Sequence, residues 1–384
     1  MEDERMASFA VNGAGAIGRA AVREILFRSY GNKRPPKSYL SQKPPMVGLI
    51  NDPAFTDPNA LKRHIVRGSK DRSDRELLRQ VLNVRDGILV ACEPEHFLSV
   101  DSVAGKPTFI ELTGFRNPRE LAAAYARLKE QDPNLVVIDC SRFAAEDPSF
   151  AQAHLEAGAT RLVISAVAKK SDMLVVYGAN HEELRPEHRI IADGSCTTNC
   201  ISLPLSVIER VFGVNSGFML TVHAATTEQF IYDVPNKDER KGRSLFNLIP
   251  TTTGAAKAVG EIITSLKGKL DGFALRVPLF NGSIAITILN PAKPVTTDEL
   301  RTALKSAAET NLKGVMAYSS EKLVHEDILI DHANVASVVD EEFTFVLGGL
   351  VILTTWYNNI DGFTANLINL AEAVAKLEVS SMRA

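Results

Sequence analysis

Ser8-Phe9-Ala10-Val11-Asn12-Gly13-Ala14-Gly15-Ala16-Ile17-Gly18-Arg19 is the stretch that decides the fold class. Its first five residues read as a buried strand, and Arg19 to about Arg28 as a helix. Between them lies Gly-x-Gly-x-x-Gly in the strand–loop–helix setting where that motif points to a dinucleotide. Gly13 and Gly15 let the backbone turn and approach a pyrophosphate, and Gly18 lets the helix pack on the strand. The helix start, with Ile17 in its first turn, offers free N–H groups to the phosphates. Taken without its surroundings, the same stretch is also compatible with a plain glycine-rich turn.

Working outward, a second strand at 46–50 ends in Asn51-Asp52. A carboxylate there suits a ribose 2′-hydroxyl and repels a 2′-phosphate, so Asp52 favours NAD over NADP. The spacing from the glycines exceeds the usual ~20 residues. The excess, 29–45, carries Pro35-Pro36 and Pro44-Pro45 with scattered basic residues and reads as a surface loop. Further on, a helix is expected at 59–66, a polar loop at 67–77, and short strands near 88–90 and 108–112. A helix at 118–130, with Leu121, Ala124 and Leu128 at helical spacing, leads to a strand at 135–139. A helix at 149–157 precedes a strand at 161–165. Strands alternating with crossover helices predict a mostly parallel sheet of the α/β class. From about residue 201 the pattern changes to long strands at 217–224, 272–278, 283–289 and 346–354, with helices at 255–266 and 297–309. That reads as an α+β domain with a mixed or antiparallel sheet.

The 384 residues allow two domains. A net charge of −3 gives no electrostatic case for nucleic acid or an anionic membrane. No apolar run is long enough to span a bilayer, and Met1-Glu2-Asp3-Glu4-Arg5 has no signal-peptide character. The four cysteines, Cys92, Cys140, Cys196 and Cys200, follow no metal-binding spacing and fit a reducing cytoplasm.

Chemistry enters with Gly194-Ser195-Cys196-Thr197-Thr198-Asn199-Cys200, which follows a strand-like run and precedes an apolar one. A cysteine opening a helix has its thiolate favoured by free N–H groups and the helix dipole, the setting of a covalent nucleophile. Leu220-Thr221-Val222-His223-Ala224 closes a strand-like run with a histidine that has only to meet the cysteine in the fold. On these residues alone Cys196 is equally a packed core thiol, and Thr251-Thr252-Thr253-Gly254 a helix cap.

The ordered series of motifs narrows this. Val11-Asn12-Gly13 to Arg19, Ile50-Asn51-Asp52-Pro53, Ile164-Ser165-Ala166, Tyr177 to Glu182, Ser195 to Cys200, Thr221 to Ala224, Thr253 to Gly260, Arg276-Val277-Pro278 and Trp356-Tyr357 together resemble the phosphorylating glyceraldehyde-3-phosphate dehydrogenases over nearly the whole chain. The resemblance implies a Rossmann-type cofactor domain over 1–195, closed by a C-terminal helix at 362–384, and an α+β catalytic domain over 196–361. It implies NAD-dependent oxidation of glyceraldehyde 3-phosphate, with inorganic phosphate, to 1,3-bisphosphoglycerate through a cysteine thioester. Cys196 is then the nucleophile and His223 the base. Thr226 and Arg276 would hold the substrate phosphate, and Ser195, Thr197, Thr253 and Gly254 the attacking phosphate. Gly13, Gly15, Ile17 and Gly18 would lie at the pyrophosphate, Asp52 at the ribose, Ser165 near the nicotinamide and Asn359 at its carboxamide. No metal is implied. A cytoplasmic homo-oligomer, a tetramer or dimer, is expected, with Leu245, Phe246, Leu248 and Ile249 exposed in a monomer.

Departures from the family cluster around the cofactor and subunit regions. Ala16 stands for an arginine, Asn358 and Ile360 for acidic residues, and Phe363 for a tyrosine. Cys140-Ser141-Arg142 replaces a Thr-Gly element, and Leu279-Phe280-Asn281-Gly282 alters the segment after Pro278. Two alternatives stay open at this level: a dehydrogenase of a related phosphorylated or phosphonylated aldehyde such as erythrose 4-phosphate, and a non-catalytic regulatory paralogue.

Overall fold

A computed structural model describes residues 8–30, 46–55, 57–69, 72–85, 88–91, 108–226 and 228–377. Most of the 29–45 loop and Cys92 lie outside the described residues. The chain divides into two compact units. One comprises the residues up to Met173, Glu182–Asp193 and the chain from Leu367; the other comprises Leu174–His181 and Gly194–Asn366. The closing helix, Asp361–Ala375, crosses that division at Leu367.

In the first unit the strand Ser8–Asn12 lies at the centre of a nine-stranded sheet. Met46–Asn51 pairs parallel on one side and Val136–Asp139 parallel on the other. Thr108–Thr113 continues the first side, Arg161–Ile164 and Ile190–Ala192 the second. The chain thus builds one half of the sheet outward from its first strand and then crosses to the other half. Such a reversal opens a crevice at the C-terminal ends of the two central strands. These strands are apolar on both faces, with Phe9, Val11, Ile50, Val137 and Ile138 buried, as expected where helices cover both faces.

A buried polar network ties the strand ends together. The Asn12 amide donates to Asp139 at 2.5 Å, the Asn51 amide to Asn12 Oδ1 at 2.7 Å, and the Thr113 hydroxyl to Asn51 Oδ1 at 2.8 Å. Paired in this way, groups that are costly to bury alone hold the strand ends at fixed spacing beneath the glycine loop. The expected loop at 67–77 is instead largely a helix, Arg72–Val81, with Leu78 fully buried. Its arginine, glutamate, leucine and glutamine residues are good helix formers, and high polarity alone concealed that.

The second unit holds an eight-stranded mixed sheet. Its centre is Val214–Ala224, parallel to Leu270–Val277 on one side and antiparallel to Ser283–Pro291 on the other. Ser283–Pro291 pairs in turn with Leu350–Tyr357. The helix Cys196–Phe212 packs on both Ala255–Ile262 and Thr297–Glu309, and all three pack against this sheet. The single strand expected at 346–354 is a hairpin, Phe345–Leu347 and Leu350–Tyr357. Gly348 and Gly349, both left-handed, supply the tight turn.

Candidate active site

In the first unit the glycine loop is wedged between backbone segments. Gly13 is left-handed, and a Cβ on it would lie 2.8 Å from Ser141 N. A Cβ on Gly18 would lie 1.8 Å from the Gly13 carbonyl oxygen, so the helix Ala16–Tyr30 approaches the strand as closely as glycine permits. A Cβ on Gly15 would meet nothing within 4 Å. One glycine is therefore required by the turn, one by helix packing, and one faces free space. Asp52 turns back onto this loop: its Oδ2 accepts the Ala14 N–H at 2.6 Å and its Oδ1 the Ala54 N–H at 2.7 Å. Ile17 stands in the first turn of the helix. Ser165, just past the end of the strand Arg161–Ile164, has its N–H bonded to the Asp139 carbonyl. The open side at Gly15, a helix start and a nearby carboxylate fit a dinucleotide. Arg142, where the family's Thr-Gly element is rewritten, is the one left-handed non-glycine residue (φ 70°) among the described residues. That conformation costs a non-glycine residue roughly 1–3 kcal/mol.

In the second unit Ser195 caps the helix Cys196–Phe212, its hydroxyl accepting the Thr198 N–H at 3.1 Å. Cys196 is therefore the first helical residue, where orphan N–H groups favour a negative sulfur. Its Sγ lies 3.4 Å from His223 Nε2. His223 stands near the end of Val214–Ala224, on the same face as Met219 and Thr221. Parallel register sets Arg276 beside it, and the guanidinium Nη1 lies 2.5 Å from His223 Nδ1. The Ala224 carbonyl oxygen is 2.6 Å from the same nitrogen. Asn359 completes the group: its Nδ2 is 3.1 Å from His223 Nε2 and 3.6 Å from Cys196 Sγ, while its Oδ1 accepts from the Ser283 hydroxyl at 2.9 Å.

Electrostatics leave both partners neutral. Burial pushes the Cys196 thiol above its ordinary value, opposed by hydrogen bonds from Asn359 and the Thr197 N–H and by the charge of Arg276. Burial first, and the Arg276 charge second, push His223 down to about 4. Cys200 is a different thiol: buried, 3.2 Å from the Thr355 hydroxyl, and pushed up to about 12 by desolvation.

Other expected site residues are placed less directly. The Thr197 hydroxyl is buried and bonds the Tyr357 hydroxyl at 2.8 Å. The Tyr357 hydroxyl also meets that of Thr221 at 2.7 Å, and its ring stands edge-on to His223 with centroids 5.8 Å apart. Tyr357 thus underlies the cysteine–histidine pair. A tyrosine ending a strand gives no local sign in the sequence of such a role. Thr226 is exposed, its hydroxyl donating to Gln229 Oε1. The Thr253 hydroxyl accepts the Ala255 N–H at 3.2 Å, and Gly254 beside it faces open space. Cys196, His223, Arg276 and Asn359 are brought together; no hydrogen bond joins Thr226, Thr253 or Gly254 to them among the described residues. The Arg276 Nε is buried without a hydrogen-bond partner, and no carboxylate pairs with its guanidinium among the described residues. Among those residues, no cluster of three or more His, Cys, Asp or Glu side chains is arranged to hold a metal ion.

The sequence model of the glyceraldehyde 3-phosphate dehydrogenase C-terminal domain matches residues 195–359, a span that opens one residue before Cys196 and closes on Asn359. Across 370 residues, 95% of this chain and 97% of the relative, the sequence is 37% identical to the glyceraldehyde-3-phosphate dehydrogenase of Geobacillus stearothermophilus. The chain belongs to the glyceraldehyde-3-phosphate dehydrogenase family. It is likewise similar to glyceraldehyde-3-phosphate dehydrogenase 1 of Bacillus subtilis (strain 168), 35% identical over 332 residues that make up 82% of this chain and 95% of that one. Membership places the chain among oxidoreductases and accords with the two-domain α/β architecture.

Proposed function

We propose that the chain oxidises glyceraldehyde 3-phosphate to 1,3-bisphosphoglycerate, using NAD and inorganic phosphate. The observation that carries this reading is a thiol at a helix start 3.4 Å from an imidazole, beside a guanidinium with no carboxylate partner among the described residues. In this reading His223 Nε2 takes the Cys196 proton as the sulfur adds to the aldehyde carbon and passes it to the former aldehyde oxygen, giving a hemithioacetal and a neutral imidazole. His223 next removes the hemithioacetal hydroxyl proton as the carbon–oxygen double bond re-forms and a thioester remains on Cys196. A phosphate oxygen then attacks the thioester carbon, forming the acyl phosphate and returning the thiolate. NAD, when bound, supplies the hydride acceptor for the oxidation. Gly13, Gly15, Ile17 and Gly18 would lie at its pyrophosphate, Gly13 shaping the turn with its own N–H bonded to the Asn51 carbonyl, with Asp52 at its ribose and Ser165 and Asn359 at its nicotinamide end.

Arg276 is the natural grip for the substrate phosphate, with Thr226 assigned beside it by family resemblance. Ser195, Thr253 and Gly254 supply hydroxyl and N–H donors for the attacking phosphate. Thr197 is assigned to the same phosphate by family resemblance, its hydroxyl also bonded to that of Tyr357. A homo-oligomer, a tetramer in the family pattern, is part of the same reading. The sheet of the second unit bears Phe218, Phe273 and Ile288 exposed on one face, and such a patch marks an interface. Phe246 and Leu248 are 72% and 67% exposed, whereas Leu245 and Ile249, expected to be exposed with them, are buried within the chain. No helix among the described residues is long and apolar enough to cross a membrane, and a cytoplasmic setting is proposed.

The test is NADH formation from glyceraldehyde 3-phosphate, with and without inorganic phosphate, and with erythrose 4-phosphate and NADP as comparators. Turnover is expected to need both NAD and phosphate. Cys196→Ser is expected to abolish it while leaving NAD binding in place; residual turnover in that variant would defeat the covalent route.

A further inference from the structure

Two turns leave the central strands of the first unit side by side. Asn12 and Asp139 are paired across the strands Ser8–Asn12 and Val136–Asp139, so the glycine loop and the segment 140–142 begin at the same level of the sheet. The two turns touch: a Cβ on Gly13 would lie 2.8 Å from Ser141 N and 2.9 Å from Ser141 Cα. The crevice at these strand ends is the place for a dinucleotide's dianionic pyrophosphate. The charges already fixed there are negative. Asp52 accepts the Ala14 N–H, and the buried Asp139 accepts from the Asn12 amide and the Ser141 hydroxyl. Gly13 to Gly18 include no cation. Arg19, which follows them, donates to the Ala14 carbonyl oxygen at 2.6 Å and lies over the Phe55 ring.

Arg142 ends the second turn. Its φ of 70° is unfavourable for any residue with a Cβ. The frame around it imposes that conformation. The Cys140 N–H donates to the Asn12 carbonyl oxygen at 2.7 Å, Ser141 Oγ accepts the Phe143 N–H at 3.2 Å, and the Arg142 carbonyl oxygen accepts the Ala145 N–H at 3.2 Å. A glycine would adopt the same φ without strain. The arginine side chain forms an ion pair with Glu146 at 3.8 Å, both partners more than half exposed, and such a pair stabilises little. Neither the backbone nor the ion pair therefore explains an arginine at this position.

We infer that Arg142 is a cofactor-binding residue whose guanidinium exchanges Glu146 for the pyrophosphate oxygens of the dinucleotide. A planar guanidinium on a long stem suits two phosphate oxygens at once, and it supplies the positive charge that the glycine loop lacks. The inference rests on the dinucleotide reading of this crevice and adds the residue that neutralises the ligand. It also accounts for the strained backbone: stability given up at Arg142 is returned as affinity when the anion is bound.

The test is titration calorimetry of the full-length chain with NAD and with ADP-ribose, which keeps the pyrophosphate and lacks the nicotinamide, at about 20 and about 500 mM sodium chloride. Arg142→Gln keeps a Cβ in the left-handed conformation and drops the charge. It is expected to weaken both ligands at least about fivefold at low salt and less than about twofold at high salt. Arg142→Gly is expected to lose the same affinity and, without ligand, to melt about 2 °C or more above the unmodified chain. Arg142 is exposed, so both variants should fold. Either variant binding both ligands as tightly as the unmodified chain overturns the assignment, as does a loss of equal size at the two salt concentrations. An Arg142→Gly that melts below the unmodified chain overturns the link between strain and binding. Turnover of glyceraldehyde 3-phosphate is measured separately. Charge-dependent NAD binding in a chain without turnover keeps the assignment and defeats the functional reading, and turnover with NAD binding indifferent to residue 142 does the reverse. A chain that binds neither ligand overturns both.

Discussion

Two glycines of one motif should fail in opposite ways. Gly18→Ala puts a methyl carbon 1.8 Å from the Gly13 carbonyl oxygen, well inside any tolerated contact. The oxygen belongs to backbone, and Gly13 is itself pinned, since its own Cβ position is 2.8 Å from Ser141 N. The helix must therefore move off the strand. Overpacking of this kind costs about 1–3 kcal/mol, partly offset by up to about 1 kcal/mol of helix propensity. For a unit of this size each kcal/mol lowers the melting temperature by roughly 2–4 °C, so a fall of up to about 8 °C is expected. Gly15→Ala meets no protein atom within 4 Å and needs no left-handed backbone. Its melting temperature should stay within about 2 °C of the unmodified chain. Its methyl group would instead occupy the side from which a pyrophosphate must come, weakening NAD by at least about tenfold, or 1.4 kcal/mol. Differential scanning calorimetry without ligand and titration calorimetry with NAD read the two effects on the same samples. Unchanged NAD affinity in Gly15→Ala would mean the open side is not the pyrophosphate's. A melting temperature as low as that of Gly18→Ala would refute the loop geometry itself.

Three further outcomes follow from the second unit. Tyr357→Phe strips a partner from the buried hydroxyls of Thr197 and Thr221, and urea unfolding should show a loss of about 1–3 kcal/mol; a loss below about 0.5 kcal/mol would show that the network carries no weight. His223, held at about 4 in the folded chain against about 6.5 unfolded, binds less proton when folded, so stability should fall as pH drops from about 6.5 through 4, by up to the order of 3 kcal/mol. His223→Asn should flatten that slope, and an unchanged pH dependence would place the titrating group elsewhere. Light scattering at micromolar concentration should give a multiple of the 41.8 kDa chain mass, because Phe218, Phe273 and Ile288 are otherwise left in water; a monomer mass would sink the interface reading.

The parallel half of the fold was legible because each of its strands carries a strong local signal. Ser8–Asn12 and Val136–Asp139 are apolar on both faces and flanked by glycine loops or helices, which no solvated element imitates. Legibility failed where the signal was ambiguous or short. Arg72–Val81 is a helix with little apolar surface, and Gly348-Gly349 breaks a run whose composition continues unchanged on both sides. The site divides along the same line. Cys196 could be placed at a helix start from neighbours in sequence, because Ser195 and Thr198 are the cap. What the cysteine faces is not local. His223 lies against Arg276 because two strands run parallel with those residues in register, and Tyr357 reaches Thr197 and Thr221 across two further strand pairings. A register shift of one residue would turn Arg276 to the opposite face of the sheet and remove its charge from His223, leaving burial to depress the imidazole. The motif therefore specifies which groups can react, whereas sheet register decides which charge stands beside them. A homologue with the same Cys-Thr-Thr-Asn-Cys stretch but a bulge between Phe273 and Arg276 would be expected to lose the guanidinium from beside its histidine and to keep burial as the cause that depresses the imidazole.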